Sequence, residues 1–222
     1  MQKNALIHLE VETGLNRTGL NGEELAESIK LIKDAKFIKV VGLCSHFAGA
    51  ESVANYFRIY NQTKLFHKLR KAIYTEGIVP DISHIACSAA ALNYPRTSLN
   101  MVRFGIAQYG FWPNKETRIR YFISGKEVYN RDPLHRVIRW VSSVMSTKLI
   151  KPGEFIGYGT SFQTNKNMKI ASIPVGYYHG FSRGLSNIGY VLIRGKRAPV
   201  VGIVNMNMIV VDVSNYHVER GD

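Results

Sequence analysis

Cysteine is scarce: Cys44 and Cys87 are the only two in 222 residues, they lie far apart, and neither belongs to a CxxC or a Cys/His cluster. That spacing excludes a disulfide framework and gives no support to a zinc site, so no metal is expected and both thiols are taken as reduced. Long apolar runs are also missing. A membrane helix needs roughly 18 to 20 uncharged apolar residues, and no stretch approaches that. The opening residues, MQKNALIHLEVETG, lack the apolar core and small-residue cleavage site of a signal peptide. The expectation is a cytoplasmic protein with no membrane partner. Acidic residues are few, 16 Asp and Glu against 29 Lys and Arg, which leaves a formal charge of +13. Such an excess invites a nucleic-acid reading through phosphate neutralisation. The cations are scattered, however, as in Lys30, Lys33, Lys36 and Lys39 or Arg118 and Arg120, with no basic run. No nucleic-acid partner is expected, and the charge is read as a solvated surface biased toward anionic small molecules.

What is present is 45% hydrophobic residues, enough to build a real core in one large or two modest domains. The first half alternates β-branched runs with helical patterns, the signature of βα units around a parallel sheet. Ala5 to Val11 reads as a buried strand. Asn21 is placed to cap a helix, with Glu24 completing a capping box and Leu25, Ile29 and Ile32 on one face. Phe37 to Cys44 is the next strand. A helix is predicted over Val53 to Glu76, with Phe57, Leu65, Leu69 and Ile73 at compatible spacing, and short strands over Ile82 to Ala86 and Met101 to Phe104. After Gly110 the helical period fades. Pro113 and Pro133 flank an irregular charged stretch, and strand-like segments follow at Val137 to Ile150, Met168 to Pro174, Gly189 to Ile193 and Val200 to Val213. The expected fold is α/β plus β, with residues 1–113 as the last four βα units of a (β/α)8 barrel and 114–222 as a mainly antiparallel β domain, incomplete at its end. A whole barrel takes about 250 residues, so about half of it is expected to lie outside these 222.

Polar residues stand where the strands end, the place α/β folds put their chemistry. Arg17 follows the first strand in VETGLNRTG, His46 the second in CSHFAGAES, and Ser88 the third in HIACSAA; Arg103 lies on the fourth in NMVRFGIAQYG. Each alone reads as an ordinary satisfied polar group; together, at successive strand ends, they read as a site. Gly105 and Ile106 are positioned to present backbone N–H groups to an anion, because glycine lets a phosphate approach closely. In the second half, FIGYGTSF around Tyr158, PVGYYHGFSRGLSN around Tyr177 and VGIVNMNMIVVDV around Met206 stand out. Each has a plain reading as a glycine turn beside a sheet, but an aromatic between two glycines, as in Gly157-Tyr158-Gly159, packs poorly as core and more readily presents its hydroxyl.

In order along the chain these segments resemble the alanine racemase family, pyridoxal-phosphate enzymes of fold type III. VETGLNRTG looks like D-T-G-M-x-R-x-G, CSHFAGAE like T-H-F-A-x-A-[DE], and HIACSAAALNYP like H-x-x-N-S-A-A-x-x-x-x-P. MVRFGIAQYG is similar to M-V-R-x-G-I-x-x-Y-G and IGYGTSF to S-Y-G-x-T-[YF]. PVGYYHGFSRGLSN resembles P-[IV]-G-Y-x-D-G-[YW]-x-R, and KRAPVVGIVNMNMIVVDV the final Met-containing segment. The resemblance implies an isomerase that interconverts L- and D-alanine for cell-wall precursor supply, with pyridoxal 5'-phosphate as cofactor, and a homodimer whose site is shared between subunits. It implies Tyr158 as a proton-transfer base with His46 and Arg103 beside it, and Arg103 as donor to the cofactor's ring nitrogen. Ser88, Gly105 and Ile106 match cofactor contacts, as does His46; Arg17, Tyr177 and Met206 match the substrate side.

The sequence departs from that pattern in several places. Cys87 stands where Asn is common, His179 where Asp is common, and Asn207 where Asp usually follows the methionine. No lysine has the K-A-[ND]-A-Y-G-H-G context of the residue to which the family links its cofactor. These 222 residues by themselves are therefore expected to be an inactive fragment of the enzyme; the alternative reading is a noncatalytic relic or interaction fragment of the family.

Overall fold

The computed structural model describes residues 4–124 and 132–222. The chain forms two compact units, Met1–Ile138 and Arg139–Asp222. Residues 114–124 and 132–138 fall within the bounds of the first of these units.

In the first unit, β1 (Ala5–Glu10), β2 (Ile38–Cys44) and β3 (Ile82–His84) form a parallel sheet in that order. Helices α1 (Gly22–Asp34) and α2 (Tyr56–Thr75) link them. The capping box is present: Asn21 Oδ1 accepts from the backbone N–H of Glu23 and Glu24, both at 3.0 Å, and Glu24 Oε2 accepts from Asn21 N–H at 2.9 Å. Alternation sends Leu9 and Val11 of β1 inward, and on β2 the register slip at Val41 puts Val40 and Leu43, three residues apart, on the same buried face. Leu9, Val11, Val40, Leu43 and Ile85 pack with Leu25 and Ile29 of α1 and Ile59, Phe66 and Ile73 of α2, while His8 and His84 lie on the other face.

The buried stripe of α2 is Ile59, Gln62, Phe66 and Ile73. Phe57 and Leu65, expected inside, are 76% and 37% exposed. The helix has apolar residues on more than one face, and tertiary packing chose the one that carries Gln62. The strand expected over Met101 to Phe104 contracts to a single parallel bridge, Cys87 to Arg103. Asn100 explains part of this: its Oδ1 accepts Ser83 N–H at 2.7 Å and its Nδ2 donates to Asp81 O at 2.7 Å, so a side chain takes the place of ladder bonds.

Two further helices, α3 (Ser88–Asn93) and α4 (Lys115–Ser124), complete the described part of this unit. The second lies inside the stretch expected to be irregular, of which residues 125–131 lie outside the described residues. It shows no apolar stripe because Ile119 and Ile123 are exposed and the fully buried residue is Thr117. The available signal was its cap, Asn114 Oδ1 accepting Thr117 N–H at 2.8 Å.

The second unit is antiparallel. Strands β4 (Ser146–Ile150), β5 (Met168–Ile173) and β8 (Ile209–Asp212) form one sheet, and β6 (Tyr190–Ile193) pairs with β7 (Lys196–Pro199). Arg194 and Gly195 turn that hairpin with φ of 50° and 79°, the paired positive φ that a two-residue hairpin loop requires. Ala171, Ile173, Val200, Val204, Ile209, Val211 and Val213 make its core. The expected strand Val200 to Val213 is interrupted by a loop that carries Met206. No helix among the described residues is long and apolar enough to cross a membrane.

Candidate active site

In the first unit the chemistry gathers at the C-terminal ends of the strands. Arg103 is the hub. Its Nη2 donates to Ser45 O at 2.6 Å and to His46 Nδ1 at 3.1 Å, and its Nη1 donates to His84 O at 3.2 Å and contacts His84 Nδ1. Among the described residues its Nε has no hydrogen-bond partner. A guanidinium only donates, so both histidine Nδ1 atoms act as acceptors and each neutral ring carries its proton on Nε2. Burial pushes the His84 imidazole down to about 4, and the adjacent Arg103 charge and His8 add to this. His46 is also shifted down, first by burial and then by Arg103 and Arg17, with Glu10 opposing. Both rings are held neutral beside a permanent cation.

The loops that carry these groups are tied from below. Gln62, 1% exposed, donates to His46 O at 3.0 Å and Thr13 Oγ1 at 3.3 Å and accepts Ala48 N–H at 2.9 Å. The Thr13 and Ser45 hydroxyls meet at 2.6 Å. Exposed Arg17 ends a loop wound around Glu12, whose carboxylate accepts N–H groups from Gly14, Leu15 and Asn16. Burial raises the pKa of Glu12, but the backbone donors, Arg17 N–H among them, outweigh it and hold the group below the usual carboxylate range. Buried Ser88 accepts Gly105 N–H on its Oγ at 2.9 Å, and Ile106 follows, 51% exposed. A Cβ built on Gly105 would meet only Ser88 Oγ, at 4.0 Å, so this flank is open.

Sequence reasoning singled out Arg17, His46, Ser88, Arg103, Gly105 and Ile106, and the structure brings His46 directly onto Arg103 and Ser88 onto Gly105. It missed His84, His8, Gln62, Thr13 and Ser45. The histidines were findable, since each lies two or fewer residues from a strand end at a position that alternation turns away from the helices. Gln62 was not, because a lone Gln in a helix carries no signal.

A stability prediction follows from the neutral histidines. The folded His84 titrates near 4 against an ordinary 6.5, so between those values the unfolded chain binds more protons. Stability should rise with pH through that window and be lost as pH falls through it, with His46 acting in the same sense. The urea midpoint of the protein should drop from pH 6.5 to pH 4, and His84→Asn should flatten that drop.

In the second unit Tyr158, Tyr177 and Met206 line one open cleft of about 330 Å³ together with Arg183, Ile203, Val204, Asn205 and Asn207. Tyr158 is 74% exposed between Gly157 and Gly159, whose φ values are 77° and 67°. Successive left-handed glycines turn the loop so that the ring stands out. The other wall is made by two crossing segments: Tyr177 N–H donates to Asn205 O at 3.0 Å and Tyr178 N–H to Met206 O at 2.9 Å. His179 accepts Gly176 N–H on Nδ1 at 3.2 Å, a use for the imidazole at this departure position. The crossing requires glycine at 176, where a Cβ would lie 2.2 Å from Asn205 O. Gly176→Ala should force the segments apart and destabilise the protein by about 1–3 kcal/mol in urea unfolding.

Two family models match the chain: "Alanine racemase, N-terminal domain" over residues 1–113 and "Alanine racemase, C-terminal domain" over 137–222. The alanine racemase of Leptospira interrogans is 34% identical over 209 residues, which is 94% of this chain and 53% of that protein. The crystal structure of alanine racemase from Bacillus anthracis with bound L-Ala-P superposes with a TM-score of 0.84 at 29% identity, over 98% of this chain and 54% of that one. That from Bartonella henselae with covalently bound pyridoxal phosphate superposes at 0.71 and 26%, over 98% and 56%. The chain spans about half the length of the curated relatives it matches. The parallel βα segment is thus the C-terminal part of a TIM-type barrel, the second unit is the β domain that follows it, and the chain belongs to the alanine racemase family.

Proposed function

We propose that these residues serve a pyridoxal-phosphate-dependent alanine racemase, acting in the cytoplasm as a homodimer in which the Tyr158 cleft of one copy completes the strand-end cluster of another. The observation that carries this reading is the Arg103 clamp. Its two terminal nitrogens are committed to protein acceptors, and Nε remains to donate to a ligand.

The residues present fit the cofactor. Arg103 Nε suits a ring nitrogen, and the open flank at Gly105, with the Ile106 N–H and the Ser88 hydroxyl, suits a phosphate; the Gly105 N–H, donated to Ser88 Oγ, holds that hydroxyl in place. When bound, the cofactor supplies an electron sink that acidifies the α-carbon of alanine.

The chain's own residues then do the following. Arg17 attracts and orients the substrate carboxylate, and Tyr177 and the Met206 backbone N–H line its other side. Tyr158 Oη moves a proton to or from one face of the α-carbon. Arg103, permanently charged, opposes protonation of the ring nitrogen it contacts and so restrains the electron sink, which suits an isomerase that must avoid side reactions.

The test is exchange of the alanine α-hydrogen in D2O by the cofactor-loaded full-length protein that carries these residues together with a cofactor-linking lysine, followed by proton NMR; these 222 residues by themselves are expected to leave the hydrogen in place. Washout of that hydrogen by the full-length protein, with formation of both enantiomers, is expected. A loaded full-length protein that leaves the α-hydrogen in place refutes the reading and favours a noncatalytic member of the family.

A further inference from the structure

The pairing of β1 with β2 slips by one residue at a single place. Ile7 pairs with Val40 but His8 with Gly42, so Val41 has no partner opposite it. The extra residue is on β2, so the bulge brings Gly42 rather than Val41 opposite His8. His8 keeps the direction that alternation along β1 gives it, and its ring rests over Gly42, where a Cβ would lie 2.3 Å from His8 Nδ1. Gly42 has no positive φ that would call for glycine, so the space above it is what the residue provides. From this seat His8 Nδ1 stands 2.8 Å from His84 Nε2, the rings 5.0 Å apart and inclined at 52°.

Donor arithmetic fixes the direction of the chain. Arg103 gives a proton to His84 Nδ1, so the neutral His84 ring has its one proton on Nε2, and that proton faces His8 Nδ1. We propose that His8 is a positioning residue for Arg103, acting through His84: the imidazole of His84 is anchored at both nitrogens, cannot turn about its ring bond, and so presents a fixed acceptor to the guanidinium. The bulge, the glycine seat and the hydrogen bond are parts of one device. Water could satisfy His84 Nε2–H in place of His8, since His8 is exposed, but a water would not hold the ring's orientation. The consequence for turnover rests on the reading of Arg103 as the ring-nitrogen donor; the positioning itself does not.

Three variants test it. His8→Leu removes the acceptor at similar volume, His8→Asn restores one close to the place of Nδ1, and Gly42→Ala evicts the ring without touching it chemically. In proton–nitrogen NMR of the protein without cofactor, the His84 Nε2–H should be a slowly exchanging downfield resonance accompanied by sharp Arg103 guanidinium signals. Both should be lost in His8→Leu and in Gly42→Ala and kept in His8→Asn. In the cofactor-loaded full-length protein His8→Leu and Gly42→Ala should lower kcat about tenfold, the weight of one hydrogen bond, with KM for alanine within about twofold and a shifted cofactor absorption maximum. His8→Asn should stay near the parent in both respects. Unchanged His84 and Arg103 resonances in His8→Leu would overturn the proposal even if activity fell. If the loaded parent does not racemise alanine, the functional reading fails and the NMR arm alone decides whether His8 positions Arg103.

Discussion

In the full-length protein that carries these residues, Tyr158→Phe should reduce racemisation of alanine by at least about 100-fold while leaving cofactor absorbance and folding close to those of the parent. The hydroxyl is the only group removed, and a positioned general base or acid contributes roughly 100- to 10,000-fold. Structural cost is small because the ring is 74% exposed and its loop is shaped by Gly157 and Gly159, which the substitution does not touch. The effect should be specific to one face of the substrate. Single-turnover exchange of the α-hydrogen measured from each enantiomer separately should show one direction nearly silent in proton removal. Equal, unimpaired exchange from both enantiomers would remove Tyr158 from the proton path and leave its exposure as a surface feature.

Arg103→Glu should have an effect of similar size and a different character. The parent arginine donates to Ser45 O, His46 Nδ1 and His84 O and adds to the burial that holds both histidines neutral. A carboxylate in its place accepts where those partners also accept, so His46 and His84 must each acquire a proton or turn away. At a bound cofactor it would favour the protonated ring nitrogen, strengthening the electron sink that arginine restrains. Racemisation should fall about 100-fold or more, and conversion of alanine to pyruvate with loss of the cofactor's amine acceptor should rise from negligible to measurable. The cofactor spectrum should shift as well. An unchanged spectrum and product profile in a folded Arg103→Glu protein would separate Arg103 from the ring and leave it a structural clamp. Arg103→Lys is the control, since it keeps the charge but not the fork that serves four acceptors at once.

Strands β1, β2, β3 and β5 and the two long helices were legible because their signals are local, whereas β7 (Lys196–Pro199) was not foreseen and of the strand expected over Val137 to Ile150 only Ser146–Ile150 forms. Asn21 and Glu24 declare a helix start, apolar runs declare β1, β2 and β5, and Arg17, His46 and Ser88 lie within a few residues beyond the ends of β1, β2 and β3. The parts that escaped are set by distant partners. Whether Met101 to Phe104 continues a ladder depends on Asn100 reaching Asp81 and Ser83. Which face of α2 is buried depends on Gln62 finding Thr13, His46 and Ala48. A helix such as α4, with Thr117 inside and Ile119 and Ile123 outside, contradicts the periodicity by which helices are found.

The sequence by itself determined the family and the identity of the groups at the strand ends, because ordered segments such as MVRFGIAQYG and IGYGTSF carry their chemistry in residue type and spacing. Tertiary structure alone decided how those groups are wired. That Arg103 spends its terminal nitrogens on Ser45, His46 and His84, and that a slipped register and the bare backbone of Gly42 bring His8 onto His84, follow from contacts across strands tens of residues apart. Hydrogen bonds of this kind depend on positions to within a few tenths of an ångström, a precision that only the packed sheet supplies.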